Sequence, residues 1–337
     1  EYIEELDRLF QQAVKRQLIS DVELGAYLSG GMDSGSITAI AAKEFPYLKS
    51  FTCGFDLSSA SGIELAFDER PSAEAMSSRF KTEHYEMVLK SGDMERCLEN
   101  FAYHLEEPRV GQSYPNYYAA KLVSKFVKVV LSGIGGDELF AGYPWRYYRT
   151  INTKSFEQFI NEYYKYWQRL ASNSDLKKMF SPVWNEISHV WTRDIFRDVF
   201  STYKNELSRP EDYINHSLYF EAKTFLHGLF VVEDKLSMAH SLESRVPFMD
   251  NDLVDFAMQC PVGLKLNNLS AVLRIDENEH RMGKKSAYFQ RTNDVFRLPD
   301  LAEGGEGWAL FKINIKENHI SNQEIEVLRC NVSYNDV

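Results

Sequence analysis

Val22-Glu-Leu-Gly-Ala-Tyr-Leu28 runs directly into Ser29-Gly-Gly-Met-Asp-Ser34, and Ile37, Ile40 and Ala41 follow among small residues at helical spacing. This is a short apolar strand, a glycine turn and a helix. Backbone N–H groups at such a helix start face outward at the positive end of the helix dipole, and glycine lets them approach phosphate oxygens without a Cβ in the way. The hydroxyls of Ser29 and Ser34 flank the same point. Asp33 would repel a bare phosphate, so its place in the loop points to Mg²⁺ bridging carboxylate and phosphate. The alternative is a plain tight turn with Ser29 and Ser34 as helix caps. The Lys of GxxxxGK[ST] is missing, which turns the reading away from transfer of a terminal phosphate.

Working outward, residues 1–20 place Leu6, Leu9, Phe10, Ala13, Val14 and Leu18 at helical spacing ahead of this strand. Further strands are expected at Ser50–Phe55, His84–Leu89 and Val127–Leu131, separated by helical segments, the pattern of βαβ units around a parallel sheet. The last of these runs into Ser-Gly-Ile-Gly-Gly-Asp-Glu, residues 132–138, a second strand ending in glycines and acids. In a doubly wound sheet, loops at the carboxyl ends of neighbouring strands meet over one crevice, so Asp137 is expected to face Asp33 across a shared ligand. Alternatively, Asp137 and Glu138 only cap the next helix.

After about residue 150 the texture becomes aromatic and helix-periodic, with Phe156, Phe159, Tyr163, Tyr164, Tyr166 and Trp167 close together and no evident strand. The expected fold is therefore α/β, a doubly wound parallel sheet with a mainly helical C-terminal half. Residues 1–150 form the α/β core, 151–292 the helical part of the same domain and 293–337 an irregular tail. The 38 basic and 49 acidic side chains leave a net charge of -11. That excludes a general nucleic-acid or anionic-membrane surface. No run of about 18 apolar residues is present, and the acidic N-terminus lacks signal-peptide character, so a soluble cytoplasmic protein is expected. Cys53, Cys97, Cys260 and Cys330 lack CxxC or metal-ligand spacing.

A third segment, Ser241-Leu-Glu-Ser-Arg-Val-Pro-Phe-Met-Asp250, closes a helical stretch from Tyr219 that carries Asp234, Lys235 and Met238. Arg245 can clamp a carboxylate in bidentate fashion or pair internally with Glu243. Ser29–Ser34, Leu131–Tyr143 and Ser241–Asp250 together resemble the synthetase domain of glutamine-dependent asparagine synthetases, over roughly residues 5–292. Through that family the first loop resembles the pyrophosphate loop of the N-type ATP pyrophosphatases, with an adenine nucleotide alpha hydrolase-like fold. The resemblance implies that Leu28, Ser29, Gly30, Gly31, Asp33, Ser34 and Gly133 bind ATP, and that Asp33 and Asp137 hold Mg²⁺. It assigns catalysis to Asp33, Asp137 and Arg245, and the acceptor side to Glu106, Asp234, Ser241, Glu243 and Arg245. Phe67-Asp-Glu-Arg70 and Thr82-Glu-His84 resemble a further characteristic segment, with surface charge as the alternative.

The implied reaction adenylates a carboxylate, aspartate in the family, and passes the acyl group to ammonia, giving asparagine, AMP and pyrophosphate. Three departures qualify the match. Residue 1 is Glu where the mature family begins with the glutaminase cysteine, and no N-terminal glutaminase domain stands in this sequence; either the chain is a fragment, or it takes free ammonia or another amine, with a glutaminase domain or subunit as a further partner. Ile134 stands where many family members carry an acid, and it cannot move a proton. The family's C-terminal Lys-x-Gly-Phe-like segment has no match; Lys284, Lys285, Lys312 and Lys316 lie in unlike surroundings. The other readings are a β-lactam synthetase-like or peptide-cyclising enzyme, and an ATP-binding pseudoenzyme. The sequence leaves oligomerisation open.

Overall fold

Glycine-punctuated apolar runs separated by helices build a five-stranded sheet, every pair of which is parallel, in the order β3-β2-β1-β4-β5. The strands are β1 (Leu24–Tyr27), β2 (Lys49–Phe55), β3 (Glu83–Leu89), β4 (Val129–Leu131) and β5 (Glu243–Arg245). The computed structural model describes residues 1–56, 58, 68–107, 113–147, 149–168, 171–203 and 207–267, and the short segments 290–292 and 295–297.

Helices α1 (Tyr2–Gln17), α2 (Met32–Glu44), α3 (Arg70–Phe80), α4 (Asp93–Leu105) and α5 (Ser113–Val123) accompany the first four strands. Side chains of the central strands alternate between two apolar layers, which explains why Leu24–Tyr27 and Val129–Leu131 are almost wholly hydrophobic. Leu24, Ala26, Val129 and Leu131 share one cluster with α1 and α2, while Tyr27, Phe51 and Val130 share another with Ala120, Leu122 and Val123 of α5. In the first cluster Phe10 of α1 packs on Phe248 with ring centroids 4.9 Å apart. Burial of each such ring contributes about 1.5–3 kcal/mol.

The later helices are α6 (Gly136–Leu139), α7 (Pro144–Tyr147), α8 (Phe156–Trp167), α9 (Asn173–Met179), α10 (Trp184–Ile187), α11 (Thr192–Asp198), α12 (Pro210–Lys223), α13 (Phe225–Met238), α14 (Asn251–Gln259) and α15 (Val262–Asn267). The aromatic texture after residue 150 becomes a ring-lined core in which Phe159, Tyr163, Phe196, Phe200, Tyr213 and Phe220 are buried together.

One element departs from the expectation of a strand-free second half. Glu243–Arg245 forms the fifth strand, pairing with Val129–Leu131, so the sheet is completed from beyond residue 150. Three residues of sequence Glu-Ser-Arg carry no apolar alternation, and an edge strand bonds on one side only, so pairing rather than composition makes it a strand. Contacts divide the chain into Glu1–Ala287 and Tyr288–Val337. In the second unit, β6 (Gln290–Thr292) and β7 (Val295–Arg297) pair antiparallel. The rest of the tail expected to be irregular, and Lys284, Lys285, Lys312 and Lys316, lie outside the described residues.

Candidate functional site

The strand order reverses between β1 and β4, with β2 to one side of β1 and β5 beyond β4. At such a point, the loops leaving the two strands diverge and open a crevice. Here those loops are residues 28–34 and 132–138, and they touch. A Cβ built on Gly133 would lie 2.9 Å from the backbone nitrogen of Ser34, and one on Gly136 would lie 2.5 Å from Cγ of Asp33. Glycine at both positions is what allows the second loop to lie against the start of α2.

The first loop is closed by its own hydroxyls. The Ser34 hydroxyl accepts the Ser29 N–H at 3.1 Å and lies 3.0 Å from the Ser29 hydroxyl, and the Gly31 N–H donates to Ser29 Oγ at 3.3 Å. Ser34 is buried while Ser29 is exposed. Gly30 has φ +76°, and a Cβ there would stand 2.6 Å from Cβ of Ser72 and 3.0 Å from the nitrogen of Ala73, so α3 seals the outer side of the turn. Gly31 begins α2 in extended conformation, and no side chain caps that helix start. Leu28 is buried beside Ala73 and Met76; its N–H donates to the Phe51 carbonyl and its carbonyl accepts the Thr52 hydroxyl. The Leu28 side chain thus belongs to the core.

Asp33 reaches the second loop one residue before Asp137. Asp137 folds back along its own loop, its Oδ1 only 1.8 Å from where a Cβ on Gly142 would stand. Gly135, at φ +106°, turns the chain between them against Phe248 and Met249, so the third sequence segment buttresses the second. Its N–H donates to Glu138 Oε2 at 3.2 Å, and the Tyr143 hydroxyl donates to Glu138 Oε1 at 3.3 Å. Burial pushes the Glu138 carboxyl above the usual carboxylate range. Among the described residues no three His, Cys, Asp or Glu side chains cluster as a metal site.

The remaining predicted residues divide. Lys235 Nζ bonds Glu106 Oε2 at 3.0 Å and the Leu105 carbonyl at 2.9 Å, which joins Glu106 to the helix carrying Asp234. Ser241 precedes β5 and Glu243 pairs with Val129 at its first residue, so both sit at the amino end of the sheet, away from the two loops. Of the two bonding patterns open to Arg245, the structure forms the internal one. Its Nε donates to Glu243 Oε1 at 2.7 Å and its Nη1 to the carbonyls of Gln17 and Ile19 at 2.8 and 2.7 Å, at the carboxyl end of α1.

The segment around Asp68 is likewise internal. Asp68 and Arg70 form a two-point pair resting on Gly54, and Arg70 Nη2 donates to the Phe55 carbonyl. Thr82 and His84 complete a polar cluster with Ser50, at 2.7 and 2.8 Å. Sequence reasoning missed Tyr143, Arg146 and Glu221, which extend the Glu138 contacts into the helical half. The available signal was Arg146 inside the aromatic run Tyr143–Tyr147 and Glu221 directly after Tyr219 and Phe220.

Residues 5–286 match the family described as asparagine synthase. The chain belongs to that family. Asparagine synthetase (glutamine-hydrolyzing) 1 of Bacillus subtilis (strain 168) is 30% identical over 292 residues, covering 79% of this chain and 45% of that protein. Asparagine synthetase (glutamine-hydrolyzing) 3 of the same organism is 30% identical over 279 residues, covering 77% and 42%. The chain spans less than half the length of these curated relatives. Among solved structures, NMN synthetase from Francisella tularensis aligns with 67% of this chain and 94% of that chain at 14% identity, with a TM-score of 0.29. The asparagine synthase family is one of ATP-dependent ligases, and the two abutting glycine loops lie within the matched region. Among the described residues no helix is long and apolar enough to cross a membrane.

Proposed function

We propose that the chain adenylates a carboxylate, with aspartate as the acid, and transfers the acyl group to ammonia to yield asparagine, AMP and pyrophosphate. The observation that carries the reading is the contact of Gly133 and Gly136 with Ser34 and Asp33 at the switch point, in a member of this ligase family. The uncapped N–H groups at the start of α2, with Gly30 and Gly31, receive the β and γ phosphates. Asp33 and Asp137 are the carboxylates assigned to Mg²⁺, and the fit is that of an ion held largely by phosphate oxygens, which needs only one or two protein carboxylates. When bound, the ion neutralises phosphate charge. Glu106, tied by Lys235 to the helix that carries Asp234, and Asp234 itself are assigned to the acceptor side.

In this scheme an oxygen of the acceptor carboxylate attacks the α phosphorus and the bond to pyrophosphate breaks. The amine nitrogen then attacks the acyl carbon, AMP leaves, and the amine gives up a proton. Both partners of the first step are anionic, so the site's contribution is electrostatic preorganisation. The test is to supply the chain with MgATP, aspartate and ammonium and follow pyrophosphate and AMP. Aspartate-dependent release of both is expected; ADP and phosphate in their place would sink the assignment.

Ile134 supports a second reading. It stands half-buried between Gly133 and Gly135, where an apolar side chain offers no base to a small amine. A synthetase that closes a ring with an amine already on the substrate fits that position, and pyrophosphate release with a β-amino acid but not with aspartate and ammonium would favour it.

A further inference from the structure

The helical half touches the second glycine loop through a buried charged chain that the scheme above does not use. Glu221, fully buried on α12, accepts Arg146 Nη1 on Oε2 at 2.9 Å and the Tyr163 hydroxyl on Oε1 at 2.7 Å. The Arg146 guanidinium lies over the Tyr143 ring, 3.7 Å from its centroid, with the Phe225 ring at 4.6 Å. The Tyr143 hydroxyl bonds Glu138, and Glu138 bonds the N–H of Gly135, the residue whose positive φ shapes the loop. A continuous set of contacts therefore runs from α12 to the turn that places Gly136 against Asp33.

Stability alone is a poor reason for this arrangement. A guanidinium and two carboxylates buried among rings usually contribute no more than apolar residues of the same volume, because desolvation offsets the attraction. Arg146 Nε has no hydrogen-bond partner among the described residues, so even the cation is only partly satisfied. Burial raises the carboxyls of Glu138 and Glu221, against the pull of Arg146 on Glu221. What the chain of contacts supplies is direction, since a planar cation on a ring and a two-ended carboxylate each admit few geometries.

We infer that Arg146 and Glu221 are positioning residues for the acid-bearing loop: held by Glu221, the Arg146 guanidinium fixes the Tyr143 ring, and Tyr143 with Glu138 fixes the turn at Gly135 and Gly136. The inference deepens the function proposed above, on which its nucleotide measurement rests; its exchange measurement does not.

Tyr143→Phe keeps the ring beneath the guanidinium and removes the hydroxyl, with its bond to Glu138 and its contact with Asp137, and Arg146→Lys keeps the charge without the planar face. Amide hydrogen exchange in both variants is expected to accelerate about tenfold at Leu139, Phe140 and Gly142, whose N–H groups bond the carbonyls of Gly135, Gly136 and Asp137. In Tyr143→Phe, amides of α8 and α12 keep wild-type rates. The dissociation constant for MgATP is expected to rise about tenfold while that for metal-free ATP holds, with Arg146→Lys milder than Arg146→Met. Unchanged exchange in the loop of Tyr143→Phe, or loss of protection spread through α8 and α12 in that variant, overturns the inference. If wild-type chain binds no MgATP, the proposed function fails, and the exchange rates still decide this one.

Discussion

The carboxylate of Asp33 occupies the space that a side chain on Gly136 would need, its oxygens 2.6 and 2.7 Å from the point where a Cβ would stand. Gly136 sits in α6 with no positive φ, so alanine there suits the backbone and even gains about 0.5–1 kcal/mol of helix preference. The atoms that must give way are the end of a movable side chain. Gly136→Ala is accordingly expected to leave the melting temperature within about 2 °C of wild type, on the small-substitution scale, and to weaken MgATP binding at least about tenfold by turning Asp33 aside. Calorimetric titration beside a thermal melt separates the two effects. Undiminished MgATP affinity would remove Asp33 from the metal assignment.

Gly30 differs in kind. Its φ of +76° is costly for any side chain, about 1–2 kcal/mol, and the atoms a Cβ would strike include the backbone nitrogen of Ala73 in α3. Gly31, at φ −78°, would meet only the Ser29 hydroxyl at 3.2 Å. Gly30→Ala is expected to lower the melting temperature by roughly 4 °C or more, and Gly31→Ala by much less. Equal shifts for the two would show that the turn relaxes, contrary to its packing against α3.

These glycines mark how far the sequence could be read. A strand, a turn of small residues and a helix are local features, and so are the alternating apolar runs, so β1 to β4 and both loops were legible from residues 22–34, 50–55, 84–89 and 127–138. That the two loops meet followed from topology, since loops at a switch point converge; that Gly133 lies against Ser34 is read only from the structure. Strand β5 was hidden because Glu-Ser-Arg has no strand character apart from its partner. Motif spacing could not say at which end of that strand Ser241 and Glu243 would lie; the register with Val129 does. The Arg146–Glu221 bond joins positions 75 residues apart; the aromatic runs mark each residue as unusual, but nothing in a single sequence pairs them.

Arg245 has a direct consequence for stability. Two of its three hydrogen bonds tie the sheet edge at β5 to the carboxyl end of α1, where cationic groups also meet the helix dipole. Arg245→Ala is expected to cost about 1–3 kcal/mol in urea unfolding, since the carbonyls of Gln17 and Ile19 lose their donor. Arg245→Lys recovers only part, because a point charge cannot span Glu243 and both carbonyls at once. A change confined to the KM for the carboxylate substrate, with unfolding untouched, would instead show that the guanidinium leaves α1 to clamp the acid.

Asp212 gives a prediction whose sign depends on pH. Placed in the first turn of α12, it accepts the N–H groups of Arg209 at 2.8 Å and Ser208 at 3.1 Å, and Arg209 Nη2 at 2.9 Å. The Arg209 side chain, first among these, lowers its carboxyl from 3.8 to about 2. The folded state therefore holds the ionised form more tightly than the unfolded chain does. Stability from this group is fully present above about pH 4 and is lost as pH falls toward 2. Asp212→Ala is expected to destabilise by about 1 kcal/mol near neutral pH, as loss of a helix-start acceptor does, and the gap to wild type should narrow steadily below about pH 4. Glu221, nine residues further along the same helix, moves the other way. Burial holds its carboxyl above the unfolded value, so its protonated form favours folding, and that contribution fades as pH rises through the raised value. Urea unfolding of wild type and Asp212→Ala across the acid range distinguishes the two carboxyls. A gap that stays constant with pH would mean that Asp212 acts by packing and not by charge.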